Sequence, residues 1–466
     1  MRAALILLVL SAILALPASA SARESQFTIF EAPTELTSDD AALRARTFDE
    51  IQGFGVHWLR VVLYWHSVAP AADDPGVPRF DETDPAAYPG FARYDRLISE
   101  ARARGIRVLL TVSGPVPRWA TRDRDDTVTR PSATRFGRFM RAVIRRYGDA
   151  VDYWSIWNEP NHPDFLRPQY SSRHRPVSPG IYRSLVWAAD RAFRAVGERS
   201  DRMLVGETAP RGTGSVVAPL TFLRGALCLD SHYRKRRGCS ELPADGWAHH
   251  AYTTAAGPFF RPSGRNDVTI GVLGRLNTAL ARAGRAHAVR TGLGIYLTEF
   301  GVESKPDPLR GVSYTAQAEY RSIAERMAYR NGRVRAFAQY LMRDDAERPG
   351  SGFDRFGGFQ SGLRTHAGTA KRAYDAFRLP LVALRGHTRT TLWGLVRPAR
   401  GATSVSIDYR NRGSSRWRFL KRDHTNRRGY WTTTTRLVAD RRYRVRWTAP
   451  DGTRHEGPLT RSYRGG

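Results

Sequence analysis

The chain has 466 residues, of which 41% are hydrophobic and 11% aromatic, which is enough to bury a large core. Its net charge is +30, and only four of the 74 basic residues are lysines. Because the arginines are scattered through every segment, they indicate a compositional bias, and we expect no nucleic-acid partner. An exported protein of this charge can also adhere to anionic cell-wall polymers or acidic polysaccharides.

Residues 1–22 have the layout of a secretory signal peptide. Arg2 precedes an apolar run over residues 5–16, and the small residues Ala18, Ser19 and Ala20 follow it. The run is short for a membrane span, and no later stretch is long and apolar enough to be one. We therefore expect a secreted, extracellular protein without a transmembrane segment after signal removal; the alternative is an uncleaved N-terminal anchor.

Strand-like and helix-like segments alternate through residues 23–380. The predicted strands are 27–30, 56–64, 106–112, 153–157, 202–207, 246–252, 294–299 and 334–342. The predicted helices are 91–104, 133–147, 180–196, 268–283, 315–329 and 370–377. Eight strands alternating with helices predict an α/β fold, a (β/α)8 barrel with insertions.

The only two cysteines, Cys228 and Cys239, fall in the long loop between the fifth and sixth predicted strands. In an exported chain they predict a disulfide that closes a small loop. A metal site would need more thiols or histidines, and His232 is the one histidine between them. We expect no metal and no cofactor.

Residues 381–466 have a different pattern, with short strands separated by glycine-containing turns, which predicts a small all-β sandwich. Four tryptophans lie in it, and they are either core residues or exposed rings that bind sugar faces: Trp393, Trp417, Trp431 and Trp447. A structural or wall-adhering module is favoured over a specific carbohydrate binder.

The fourth predicted strand, DYWSIWNEPN, ends on Asn158 and Glu159, and the seventh ends on Glu299. In a (β/α)8 barrel the chemistry lies at the carboxyl ends of the strands, so the two glutamates are expected to converge there. Glycosidic bond cleavage needs such a pair, because one carboxyl protonates the leaving oxygen while the other, ionised, attacks the anomeric carbon. The alternative is that both glutamates only pair with surface arginines.

These motifs resemble those of the retaining glycoside hydrolases of clan A. The resemblance covers roughly residues 27–377, with Asn-Glu-Pro after strand four and a glutamate, here in TEFG, after strand seven. The second-strand arginine of the family matches Arg60. The sixth-strand His-x-Tyr pattern matches His250 and Tyr252, and the GPVPRWA loop after strand three also fits.

The resemblance implies a role for each matching position. Glu159 is expected to be the acid/base, with a raised pKa, and Glu299 the nucleophile, held ionised by Arg60 and Tyr252. Asn158 is expected to bind the sugar 2-hydroxyl. Three further residues line the sugar site or belong to the core: His250, Trp65 and Trp119. The tryptophan that the family often has after strand eight is missing, and Tyr340 is the aromatic residue there. Glu207 and Glu303 do not match the catalytic pattern, and either can bind a hydroxyl.

The sequence therefore predicts a secreted retaining glycoside hydrolase that cleaves a β-linked oligo- or polysaccharide by double displacement. A non-catalytic polysaccharide- or wall-binding protein on a degenerate barrel is the alternative. Retention of both glutamates together with Asn158 and Arg60 argues against it.

Overall fold

The structure is a computed structural model that describes residues 26–197, 202–398 and 401–464. The predicted signal segment, residues 1–22, lies outside these ranges. None of the helices in the described ranges has the length and hydrophobicity needed to cross a membrane.

Eight parallel strands form a closed barrel in which each strand pairs with the next and the eighth pairs with the first. They are β1 Phe27–Glu31, β2 Trp58–Tyr64, β3 Arg107–Ser113, β4 Tyr153–Ile156, β5 Met203–Thr208, β6 Gly246–His250, β7 Gly294–Glu299 and β8 Val334–Tyr340. The barrel predicted from the alternation of segments is confirmed.

Helices follow the strands of the barrel along the chain, and the longer ones cover the outward faces of those strands. They are α1 Pro33–Leu36, α2 Ala41–Gly53, α3 Trp65–Val68, α4 Phe91–Ala103, α5 Ala133–Tyr147, α6 Ser178–Val196, α7 Pro219–Ala226, α8 Gly274–Arg285, α9 Tyr314–Arg330, α10 Gly352–Arg355 and α11 Arg372–Arg378. The sequence did not predict α2, although Asp40 caps it by accepting hydrogen bonds from the N–H groups of Ala42 and Leu43.

Strand β2 shows how the pattern of side chains positions the site. Successive side chains of a strand point to opposite faces. Leu59, Val61 and Leu63 face the helices and are buried in the large outer core, whereas Trp58 belongs to a smaller cluster inside the barrel. Arg60 follows two residues later on the same inward face, so it lies one layer above Trp58, towards the carboxyl ends of the strands.

The second domain contains β9 Leu381–Arg385, β10 Arg389–Leu395, β11 Ser404–Arg410, β12 Arg418–His424, β13 Tyr430–Arg436, β14 Arg442–Thr448, β15 Arg454–Glu456 and β16 Thr460–Arg464. The strands pair in the order β12-β11-β14-β16-β9-β10-β13, with β15 also on β14. All pairings are antiparallel except β16 with β9. Buried side chains between the layers form a separate core that includes Trp431 and Trp447. The predicted β-sandwich is confirmed.

The two domains pack against each other through α9. Ile323 of this helix is buried in one cluster with Val382, Trp393 and Tyr430 of the sandwich. Beside this contact the carboxylate of Glu325 pairs with the guanidinium groups of Arg321 and Arg397, and all three side chains are almost completely buried. Three of the four sandwich tryptophans are buried, at 2–5% exposure.

Cys228 and Cys239 form a disulfide in the loop between α7 and β6. This confirms the pairing predicted from the sequence.

Candidate active site

The turn after β4 has an unusual backbone. Trp157 has φ +69° and Glu159 has φ +37°, in the left-handed region that non-glycine residues avoid. In a regular strand, consecutive residues would point to opposite faces, but here the side chains of both Asn158 and Glu159 reach the barrel axis. Such backbone strain costs about 1–3 kcal/mol per residue and is characteristic of functional sites.

Arg60 is the central cation of the site, and its side chain is fully buried. Its Nη1 donates to Glu31 Oε2 at 2.6 Å and to Glu299 Oε1 at 2.7 Å. Its Nη2 donates to Asn158 Oδ1 at 2.8 Å and to Glu207 Oε2 at 3.1 Å. These carboxylates raise the pKa of Arg60, although burial alone would lower it, so the guanidinium stays charged and fixed in place.

Glu299 ends β7 at the mouth of the barrel, with 10% of its side chain exposed. Arg60 binds one of its carboxylate oxygens, and the hydroxyl of Tyr252 donates to the other at 3.0 Å. Two donors on opposite oxygens hold this carboxylate in one orientation, which suits a group that must attack along a fixed line. This is the arrangement expected from the sequence for a nucleophile.

Glu159 lies across the same mouth, with 16% of its side chain exposed. Its Oε1 accepts a hydrogen bond from His250 Nδ1 at 2.8 Å, and the same nitrogen lies 3.4 Å from Glu299 Oε2. Burial by itself raises the pKa of Glu159, but the hydrogen bond and the charge of His250 outweigh it and lower the pKa. The sequence predicted a raised pKa, so the free protein differs from that expectation because of His250.

His250 is fully buried beneath the two glutamates, so it supports the site and does not line it. Its Nε2 donates to Glu207 Oε2 at 2.6 Å while Nδ1 faces Glu159, so both ring nitrogens meet carboxylates. Burial lowers the pKa of His250, but the charges of Glu299, Glu159 and Glu207 raise it to about 10. The imidazole is therefore protonated at neutral pH and carries a proton next to Glu159.

Oxygen atoms of Glu159 and Glu299 and a ring nitrogen of His250 lie within 4.8 Å of one another. This set has the donor types of a metal site. However, a protonated imidazole has no lone pair to offer a metal, and Arg60 occupies one oxygen of Glu299. The geometry favours a pair of facing carboxyl groups with a cleft between them.

Glu207 ends β5 but does not reach the cleft, because its side chain is fully buried. In addition to Arg60 and His250, it accepts hydrogen bonds from Ser155 Oγ at 2.6 Å and from Thr298 Oγ1 at 2.8 Å. Burial raises the pKa of Glu207, but these partners lower it to about 2. Its place in the structure excludes contact with a sugar hydroxyl, so it fixes Arg60 and His250 instead.

The sequence analysis did not single out Glu31, which ends β1 and binds Arg60. Burial and the negative charge of Glu299 raise the pKa of Glu31 to about 7, against the opposing effect of Arg60. The same strand-end rule, applied to the motif FTIFE, would have found it.

Trp65 and Trp119 lie in the core between strands and helices, at 0% and 1% exposure, and therefore do not line the cleft. Trp65 stacks on Phe139 with ring centroids 4.9 Å apart, and Trp119 contacts Trp65 edge-on. Burying these apolar rings against other aromatic side chains stabilises the core.

Tyr340 and Phe359, both partly exposed, form an aromatic wall beside the carboxylates. Their ring centroids are 5.1 Å apart, and both rings contact Tyr252. Tyr340 ends β8 and Phe359 lies in the segment after it, where the tryptophan that the resemblance implies is missing. The remaining glutamate, Glu303, accepts a hydrogen bond from the backbone N–H of Gln360, and burial raises its pKa to about 7.

The solved structures include one with the same overall architecture. A family 39 glycoside hydrolase from the gut symbiont Bacteroides cellulosilyticus WH2 superimposes with a TM-score of 0.52 at 16% identity, covering 90% of this chain and 81% of the other. The chain resembles the clan A glycoside hydrolases. At this identity the comparison shows the shared barrel, and the roles of individual residues remain predictions.

Two β-glucosidases are also similar to the chain. A thermostable beta-glucosidase B from Thermobispora bispora is 31% identical over 129 residues, which are 28% of this chain and 24% of the relative. The chain thus spans about a quarter of the curated relative that it matches. A beta-glucosidase from Exiguobacterium marinum has a TM-score of 0.48 at 16% identity, covering 72% of this chain and 84% of the other. No protein-family model matches the sequence.

Proposed function

We propose that the protein is a secreted retaining glycoside hydrolase that cleaves a β-linked oligo- or polysaccharide by double displacement. The separation of Glu159 and Glu299 carries this proposal. Retaining enzymes have carboxyl groups about 5–5.5 Å apart, whereas inverting enzymes need roughly 6.5–9.5 Å to admit a water molecule. One oxygen atom of each residue lies within 4.8 Å of one oxygen of the other, and this close approach of the nearest atoms supports the shorter class. The β-glucosidase relative supports a β-linked substrate.

In this mechanism Glu299 attacks the anomeric carbon, and the bond to the leaving oxygen breaks as Glu159 protonates it. Glu159 is ionised in the free protein, and its proton source is His250 Nδ1, one hydrogen bond of 2.8 Å away. A bound sugar removes water from Glu159 and so favours its neutral form. Water then hydrolyses the glycosyl-enzyme, with Glu159 as the base. Asn158 accepts from Arg60 through Oδ1, which directs its amide N–H groups to donate to the 2-hydroxyl.

The two glutamates are distinguished by how their alanine variants fail. Glu299→Ala cannot form the covalent intermediate, so every substrate loses activity. Glu159→Ala loses roughly 100- to 10,000-fold on glycosides with poor leaving groups, the usual contribution of general acid catalysis. A dinitrophenyl glycoside leaves without a proton, so its first step survives in this variant and the intermediate accumulates.

Added azide provides the stereochemical test. With Glu159→Ala it attacks the glycosyl-enzyme and yields the β-glycosyl azide, whereas with Glu299→Ala it enters the vacated face and yields the α product. The anomers are identified by NMR on one activated β-substrate. Reversed anomers would exchange the two roles. Unchanged hydrolysis in both variants would favour the non-catalytic, polysaccharide-binding alternative.

Secretion is part of the proposal because the N-terminal layout and the disulfide both fit an oxidising compartment. Its test is N-terminal sequencing of protein recovered from the culture medium. A mature chain that begins near residue 23 supports export, and a protein retained in the cell with residues 1–22 intact contradicts it.

A further inference from the structure

The two outer faces of the sandwich differ in their surroundings. Side chains of β9, β10 and β13 pack on helix α9 of the barrel. On the layer formed by β11, β12, β14 and β15, several outward side chains are exposed to solvent. Phe419 is the clearest example, with 58% exposure for a large apolar ring. Six residues define this surface, which we call the arginine face: Trp417, Phe419, Arg422, Arg444, Arg446 and Arg454.

The alternation along β14 gives the face its charge. Tyr443, Val445 and Trp447 point into the sandwich core and are buried. Arg444 and Arg446 lie between them and therefore point outwards. The register places Arg446 opposite Ser406, and Ser406 opposite Arg422 on the next strand. Two strand spacings separate the two arginines, about 10 Å.

A buried carboxylate holds two of these guanidinium groups in place. Asp408, at 2% exposure, accepts from Arg444 Nε at 2.9 Å, and it pairs with Arg446 Nε at 2.7 Å. Side chains fixed before binding lose less conformational entropy when a ligand arrives. In the described part of the chain, Arg422 and Arg454 have no ionic partner, so their charges are available.

The aromatic rings lie among these cations. The guanidinium of Arg444 is 4.4 Å from the ring centroid of Trp417, and that of Arg410 is 5.2 Å away on the same residue. Phe419 and Arg444 both pair across the strands with Asp408, one from each side, so the exposed ring lies on the same face as Arg444. Arginine and aromatic residues side by side are the types enriched at binding surfaces.

A groove of about 800 Å³ runs over this surface, and its lining includes Arg422, Arg444, Arg446 and Arg454 against a single acidic residue, Glu456. We propose that the arginine face binds an acidic polysaccharide whose sugars carry carboxylate groups. Guanidinium groups match planar carboxylates through paired hydrogen bonds, and the exposed ring offers an apolar surface to a sugar face. The choice of a polysaccharide over other polyanions rests on the proposed glycosidase function of the barrel.

The test measures binding of the full-length chain to polygalacturonate, with Glu299→Gln as the catalytically inactive parent. The double variant R422A/R454A should bind roughly tenfold or more weakly, because two charge-assisted hydrogen bonds are lost. The matched control is R285A/R372A, which removes the same charge from exposed positions on α8 and α11 and should change affinity less than about twofold. Raising the salt concentration should weaken binding of the parent.

Phe419→Ala separates a sugar contact from simple charge attraction. It should weaken binding to polygalacturonate several-fold and leave binding to inorganic polyphosphate unchanged. Equal losses in R422A/R454A and R285A/R372A would overturn the proposal, as would no binding to polygalacturonate. Equal affinity for polyphosphate or duplex DNA, unaffected by Phe419→Ala, would replace it with a general polyanion surface. Hydrolysis of an aryl glycoside is measured on the same variants with Glu299 restored. A chain that hydrolyses the glycoside but does not bind polygalacturonate refutes the proposed binding surface and leaves the proposed glycosidase function intact.

Discussion

Glu207→Gln tests whether the buried network under the cleft stabilises the barrel. The change removes one negative charge and keeps the size of the side chain. Glutamine has one oxygen left to accept the four hydrogen bonds from Arg60, His250, Ser155 and Thr298, and its NH2 group faces other donors. Removing one partner from a buried ion pair typically costs about 3–5 kcal/mol, so we expect the free energy of unfolding to fall by that amount. Activity should fall as well, because Arg60 and His250 contact the two catalytic candidates.

The assay is urea unfolding at pH 7, followed by tryptophan fluorescence, with midpoints compared at a common slope. Glu303→Gln is the matched control. It makes the same chemical change near the same end of the barrel, but Glu303 accepts a single hydrogen bond that glutamine can keep, and we expect a change below about 1 kcal/mol. If Glu207→Gln were as stable as Glu303→Gln, the network would not stabilise the fold as argued.

Three other predictions concern His250, Tyr252 and the disulfide. The pKa of His250 is about 10 in the folded protein, against an ordinary value of 6.5. The protonated imidazole therefore stabilises the fold fully below pH 6.5, and this contribution is lost as pH rises towards 10. His250→Asn should reduce the dependence of the free energy of unfolding on pH in this range. Tyr252→Phe removes a hydrogen bond to the charged Glu299, and kcat/KM should fall roughly 10- to 100-fold, with a normal urea midpoint. Replacing Cys228 and Cys239 with serine should lower the free energy of unfolding by roughly 2–3 kcal/mol, and an unchanged midpoint would contradict this.

The sequence by itself determined the architecture and the catalytic candidates. The period of side-chain burial is a local property of the chain, so strands and helices can be read from the sequence. Hydrophobic runs of strand length that alternate with amphipathic helices then predict a barrel. The ends of those strands are known as soon as the strands are, so Glu159 and Glu299 could be placed at one end before any coordinates, and Arg60 followed from the family resemblance. The disulfide followed because only two cysteines were available to pair.

What the sequence could not determine are the contacts between distant segments. Trp65 and Trp119 were candidates for the cleft, but whether a tryptophan turns into the core or the cleft depends on its neighbours in the fold. For Trp65 these include Phe139, more than 70 residues away in the chain. Glu31 and Glu207 likewise acquire their function only from Arg60 and His250, which belong to other strands.

The charge states of the site show the same limit. A glutamate at a strand end is expected to have a raised pKa if it is the acid, yet Glu159 has a lowered one because a protonated His250 lies 2.8 Å away. Electrostatic interactions depend on distances of a few ångströms between groups far apart in sequence, and on how much water remains between them. Closing eight strands into one barrel sets those distances, so only the tertiary structure decides where the protons reside.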